Sequence, residues 1–145
     1  LAFFAYLSTF GLVQRIFRPM YPWDYIEKVF VWFRKFFCSG ESKKFTQEQR
    51  SLVIYTYNLV SKIAAHNSVG KEGKFHLFIL FSLRDHILSG LLPLIAWVPV
   101  TGQLYEKSAF LRQPLKLSYL SKLISTLNDF QFLYEKSLLQ GIEAI

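Results

Sequence analysis

Apolar residues in this chain recur at helical spacing almost throughout. The densest run lies between Phe75 and Leu88. Leu77, Leu80, Phe81, Ile87, Leu88 and Leu91 follow one another at helical intervals, while Phe75, Phe78, Ile79 and Leu83 cover much of the other side. A helix that is apolar nearly all round has to be wrapped by other helices, so this stretch predicts the central post of a bundle. About 15 residues at 1.5 Å each give a rod of roughly 22 Å, enough to cross a small domain.

The flanking pattern fills in the bundle. Leu1 to Phe17 reads as a first helix, ended by Arg18-Pro19, and Pro19 and Pro22 bracket a turn because neither can donate inside a helix. Trp23 to Phe37 follows, with Ile26, Val29, Phe30, Phe33, Phe36 and Phe37 on one stripe and Gly40 as a left-handed cap beyond it. Thr46-Gln47-Glu48-Gln49 has the form of a capping box and starts a third helix that runs to about Ala65. Its predicted buried stripe is Leu52, Tyr55, Leu59 and Ile63, with Val53 and Val60 beside it. His66 to Gly73 is loop-like and leads into the central helix.

Beyond Ser89, Gly90 and Pro93 predict a kink or a break, since Pro93 cannot donate to the Ser89 carbonyl. Val100 to Gly102 reads as a turn and Gln103 to Leu111 as a short helix. A helix from Pro114 to Leu127 carries Leu117, Leu120, Ile124 and Leu127 on one side. Phe130 to Ala144 is the last, with Phe130, Leu133, Tyr134, Leu138 and Ile142 inward. No stretch alternates with period two. The expected fold is all-α: a single-domain helical bundle of about six to eight helices over residues 1–145.

Composition raises one alternative. Hydrophobic residues make up 52% and aromatics 18% of the 145, enough to ask whether a segment spans a membrane. Leu1 to Val13 is too short for a span, though the start at Leu1 leads us to expect a fragment of something longer, in which that segment could continue upstream. Phe75 to Val100 is long enough, but Arg84-Asp85-His86 sits in its middle, where Arg and Asp would each cost roughly 2.5–3.5 kcal/mol in a bilayer. A helical core in water is the better account. The single cysteine, Cys38, allows no internal disulfide. The net charge of +7 is spread along the chain. Its densest piece, Arg34 to Arg50, reads as a solvated loop and helix face, with an electrostatic landing site as the sharper alternative.

No catalytic constellation emerges. His66, His76 and His86 lack the i, i+4 spacing that would put two metal ligands on one helical face, so no metal or cofactor is expected. Gly70 to Lys74 lacks the glycine spacing and the Lys-Ser/Thr ending of a phosphate loop. The carboxylates are few and dispersed. Arg84 interrupts the apolar stripe of the central helix, and Glu106 or Asp129 from another helix is its expected partner. The aromatics lie on apolar stripes committed to the core, which argues against nucleic acid.

Several segments together carry a family resemblance. Gly73-Lys74, the apolar helix through Leu88, Leu91-Leu92, and Leu104-Tyr105-Glu106-Lys107-Ser108-Ala109-Phe110-Leu111-Arg112 resemble the second half of a RUN domain. That family shows a glycine-and-arginine turn, a long helix, a Tyr-Glu-x-x-Ala-Leu-Leu segment and a closing leucine-rich helix. Pro22-Trp23-Asp24-Tyr25-Ile26-Glu27 is similar to its Phe-Trp-x-x-Leu-Glu segment, and Phe10-Gly11-Leu12 stands where a His-Gly-Leu is usual. The likeness covers about Phe10 to Leu139, with the first family helix partly missing.

The resemblance implies an all-helical, non-enzymatic adaptor bound by a small GTPase of the Rab, Rap or Arl type, or by a motor protein, in membrane traffic. It implies a cytoplasmic location, peripheral on endosomal or other vesicle membranes, with membrane contact made through the parent protein. No nucleic acid and no small-molecule substrate are expected. Lys43, Lys44, Arg50, Lys71 and Lys74 are the expected basic rim for the partner, while Trp23, Gly73, Lys74, Tyr105, Glu106, Ala109, Leu111 and Arg112 are structural motif positions. Two other classes stay open: a membrane- or lipid-associated helical protein, and a scaffold domain without a partner of its own.

Overall fold

A computed structural model of the chain describes residues 20–136 and 138–139. The predicted helix over Leu1 to Phe17, the Phe10-Gly11-Leu12 match and Ile142 lie outside them. Among the described residues six α-helices follow in order: α1 Pro22–Cys38, α2 Gln47–Ala64, α3 Lys71–Arg84, α4 Leu88–Trp97, α5 Pro99–Leu104 and α6 Pro114–Ser125. Three 3-10 segments, Glu41–Lys44, Phe110–Arg112 and Thr126–Asp129, join or extend them, and no strand occurs among the described residues. The fold is an all-α bundle.

Local chemistry explains the ends of α1 and α2. Pro22 opens α1 at the first helical position, where its missing N–H costs nothing, and the Asp24 carboxylate accepts the Tyr21 N–H at 3.0 Å. Gly40 follows the Ser39 cap at φ 79°, the left-handed turn expected there. In α2, Gln49 N–H donates to Thr46 Oγ1 at 3.1 Å and Thr46 N–H to Gln49 Oε1 at 3.0 Å, closing the capping box.

α1, α2 and α3 pack on one another, α5 lies on α1, and α4 pairs with α6. Phe75, Leu77, Phe78, Ile79, Leu80, Phe81 and Ser82 of α3 are all buried, so every one of the eight successive positions from Phe75 to Ser82 except half-buried His76 is enclosed by other protein atoms. The enclosed post is real. Its limits differ from the sequence expectation. α3 begins at Lys71, inside the predicted loop, and stops at Arg84, four residues short of Leu88. His86 adopts φ 58°, Ile87 N–H reaches the Ser82 carbonyl at 3.0 Å and His86 N–H the Leu83 carbonyl at 3.2 Å. That is a Schellman closure with histidine in the left-handed place glycine usually takes, which is why composition did not reveal it.

Further corrections have physical causes. Pro93 does not break the chain: it sits within α4, and the Ser89 carbonyl it leaves without a backbone donor accepts Ser121 Oγ–H of α6 at 2.7 Å. Pro99 starts α5 at its first position, so the expected turn at Val100 to Gly102 is helical and Tyr105 is extended rather than mid-helix. Tyr55 is exposed, not core, because Thr56 takes the inward place and bonds the Leu52 carbonyl at 2.7 Å. Leu52 is only half-buried.

Arg84 pairs with neither Glu106 nor Asp129. Its Nε and Nη2 meet the adjacent Asp85 carboxylate at 2.8 and 3.2 Å, while its guanidinium lies 4.6 Å over the Phe81 ring. Tyr55 Oη donates to the same carboxylate at 2.5 Å, so α2 holds the ion pair at the end of α3. α6 ends at Ser125, and residues 130–135 are not helical. Phe130, Leu133 and Leu138 are exposed; of the described members of the predicted inward set only Tyr134 is anchored, its Oη donating to the Leu80 carbonyl at 2.8 Å. The extended run beginning at Phe130 lays that phenol across α3, a use of the segment that helical spacing could not anticipate.

Candidate partner-binding surface

α1 is amphipathic in both senses. Its inner stripe (Trp23, Ile26, Val29, Phe30, Phe33) is buried, while Asp24, Glu27, Lys28, Val31 and Lys35, at i, i+3, i+4, i+7 and i+11, form the opposite wall of a groove. Val100, Gln103 and Leu104 of α5 face them, with Met20 and Lys71 at one end. The groove measures about 790 Å³. Val31 is an exposed apolar residue in the middle of this charged wall. Its surroundings are of both signs: Asp24 and Glu27 against Lys28, Lys35 and Lys71.

The walls are held from behind. Tyr25 Oη donates to Thr101 Oγ1 at 2.7 Å, and Thr101 Oγ1 donates on to the Ile95 carbonyl at 2.7 Å, tying α1, α5 and α4 through one buried chain. The Tyr25 ring meets Tyr105 edge-on, with centroids 5.0 Å apart. Burial pushes both phenols well above the ordinary tyrosine range, and the neighbouring Tyr25 adds to the shift at Tyr105. At the groove rim, Trp23 Nε1 donates to Glu27 Oε1 at 2.7 Å, and Lys71 Nζ pairs with Asp24 Oδ1 at 2.7 Å while standing 5.6 Å over the Tyr21 ring. Towards the far end of α1, Trp32 stacks on Phe36 at 4.8 Å, and both meet the exposed Trp97 of α4 edge-on.

The five expected basic residues fall into two groups. Lys43, Lys44 and Arg50 lie past the end of α1 and in the first turn of α2; Lys71 and Lys74 lie at the start of α3, beside the first turn of α1. α1 has 17 residues, about 25 Å at 1.5 Å each, so the groups are held roughly that far apart. Of the five, only Lys71 lines the groove. Lys74 Nζ donates to the Ala64 carbonyl at 2.9 Å, closing the end of α2. Arg50 is half-buried, and its Nε has no hydrogen-bond partner among the described residues. Sequence reading missed Asp24, Glu27, Lys28 and Val31. The available signal was the lone Val31 among charges on the face opposite the apolar stripe.

The motif positions are mainly packing and turn residues. Trp23, Tyr105 and Ala109 are buried, and Leu111 is half-buried. Ala109 N–H reaches the Glu106 carbonyl at 2.9 Å, and Arg112 Nη1 donates to the Tyr105 carbonyl at 3.0 Å, so the Tyr-Glu-to-Arg segment folds back as a closed turn. The Glu106 side chain is exposed, and Gly73 and Lys74 sit in the first turn of α3. The RUN domain family model matches residues 12–138, which includes this turn, α3 and the whole groove. The chain belongs to the RUN domain family. As a RUN domain it is a protein-interaction module, of a family not known for enzymes. No solved structure matches the chain significantly.

The RUN domain's histidines do not converge. His66 is bonded to Ser68 at 3.0 Å, His76 is half-buried on α3, and His86 is exposed in the turn after it. Among the described residues, no group of three or more His, Cys, Asp or Glu could hold a metal ion, and no helix is long and apolar enough to cross a membrane.

Proposed function

We propose that this RUN domain is a non-enzymatic adaptor that docks a small GTPase of the Rab, Rap or Arl type, or a motor protein, in the groove between α1 and α5. The observation that carries the reading is the exposed Val31, set on a rigid wall among charges of both signs, in a member of an interaction family. An apolar centre with a charged rim is the usual build of a protein interface, the centre supplying affinity and the rim orientation and rate. Lys71 belongs to that rim; Lys43, Lys44 and Arg50 extend the basic field at the other end of α1. The setting is the cytoplasmic side of endosomal or other vesicle membranes, with membrane contact supplied through the parent protein.

Pull-downs with GTPases loaded with a GTP analogue or with GDP test the reading. Nucleotide-dependent capture that is lost in Val31→Asp and weakened in Lys35→Glu supports it. Absence of nucleotide-dependent binding across the panel, together with no motor capture, removes it and leaves a scaffold role.

A further inference from the structure

α6 has two apolar faces. Leu117, Leu120 and Ile124 are buried, mainly against α4, whereas Leu115, Tyr119 and Leu123, at i, i+4 and i+8, point away from the bundle. Their exposures are 88%, 66% and 47%, rising towards the start of the helix. At 3.6 residues per turn, Lys122 lies about 20° outside this stripe on one flank and Lys116 about 20° outside it on the other. Both lysines are exposed, and neither forms an ion pair with a described residue. No carboxylate occurs from Pro114 to Ser125; the nearest along the chain are Glu106 before it and Asp129 after it.

We infer that this face of α6 lies on an anionic lipid leaflet. The pattern is that of an interfacial helix: aliphatic side chains inward, a tyrosine whose hydroxyl stays at headgroup level, and lysines at both edges. The stripe stands on the outer side of a helix and contributes no residue to the α1–α5 groove or to the smaller groove beside Trp97. A leaflet needs no matching cleft, which favours it over an acidic protein partner. The face is only about 12 Å long at 1.5 Å per residue, so its hold is weak and reversible, a second contact rather than an anchor. The surface shares no residue with the proposed partner groove, and the two readings stand or fall separately.

Co-sedimentation of the 145-residue chain with phosphatidylcholine vesicles, with and without phosphatidylserine, tests this. Binding is expected only when phosphatidylserine is present, reduced roughly fivefold by each of Lys116→Gln and Lys122→Gln and abolished by Leu115→Asp with Tyr119→Asp. The lysine changes are at exposed positions and keep the test valid if the paired aspartates disturb α6. Equal binding to both vesicles, or unchanged binding in the lysine variants, overturns the inference. So does no binding to either, which would leave an acidic protein as the occupant.

Discussion

Ser121 of α6 donates its hydroxyl to the carbonyl of Ser89 in α4, 2.7 Å away, the one carbonyl that Pro93 deprives of its backbone donor. A proline inside a helix ordinarily leaves such a group to water or to a kink. Here the neighbouring helix supplies the missing donor. The most extensive helix pair in the bundle is thereby joined at the point where one partner is locally defective.

Ser121→Ala is expected to destabilise the fold by about 1 kcal/mol, the cost of a partly buried carbonyl left unpaired. Pro93→Ala restores an N–H for Ser89, so the same Ser121→Ala change should cost clearly less in that background. Urea unfolding of the four proteins measures the coupling. Equal costs in both backgrounds would show that the hydroxyl does not stand in for the proline.

His86→Gly should stabilise the domain by about 1 kcal/mol. The left-handed turn that closes α3 penalises any side chain, and the His86 side chain is exposed. A midpoint of denaturation that falls rather than rises would mean the imidazole makes a contact worth more than the strain.

Stability should decline in alkali. Tyr25 and Tyr105 are held neutral by burial, so their folded pKa values lie above the unfolded value near 10. Below about pH 10 the phenols are protonated in both states and the contribution is fully present. Above it the unfolded chain loses protons first, and stability falls by up to about 1.4 kcal/mol per pH unit for each phenol held neutral. Tyr105→Phe should flatten the profile by one such increment. A profile that is level from about pH 9 to 11 would contradict the burial of these phenols.

Tyr134→Phe should loosen the run from Phe130 to Lys136, whose hold on α3 includes the bond to the Leu80 carbonyl. Loss of about 1 kcal/mol of local stability corresponds to roughly fivefold faster cleavage there under limiting protease. Cleavage at the wild-type rate would indicate that the ring, not the hydroxyl, carries the contact.

What the amino-acid order determined by itself were those helix ends at which a recognisable residue acts within about one turn. Pro22, the Thr46–Gln49 pair and Gly40 mark helix ends because a capping bond or a φ preference reaches only three or four residues along the chain. The all-round apolar run from Phe75 to Phe81 demanded enclosure whatever its neighbours were, since leaving it in water has no compensating term. The closed turn from Tyr105 to Arg112 was legible as a motif, though not as a turn.

Only the packed molecule decided which distant groups met. Tyr25 finds Thr101 across 76 positions, Tyr134 finds Leu80 across 54 and Ser121 finds Ser89 across 32. Such contacts depend on the angles at which helices cross, and those are set jointly by all the side chains between them. For the same reason Arg84 settled on its neighbour Asp85, and Val31 and Leu115 were left facing outward: a stripe's spacing says that residues share a face, and the rest of the bundle says whether that face is covered.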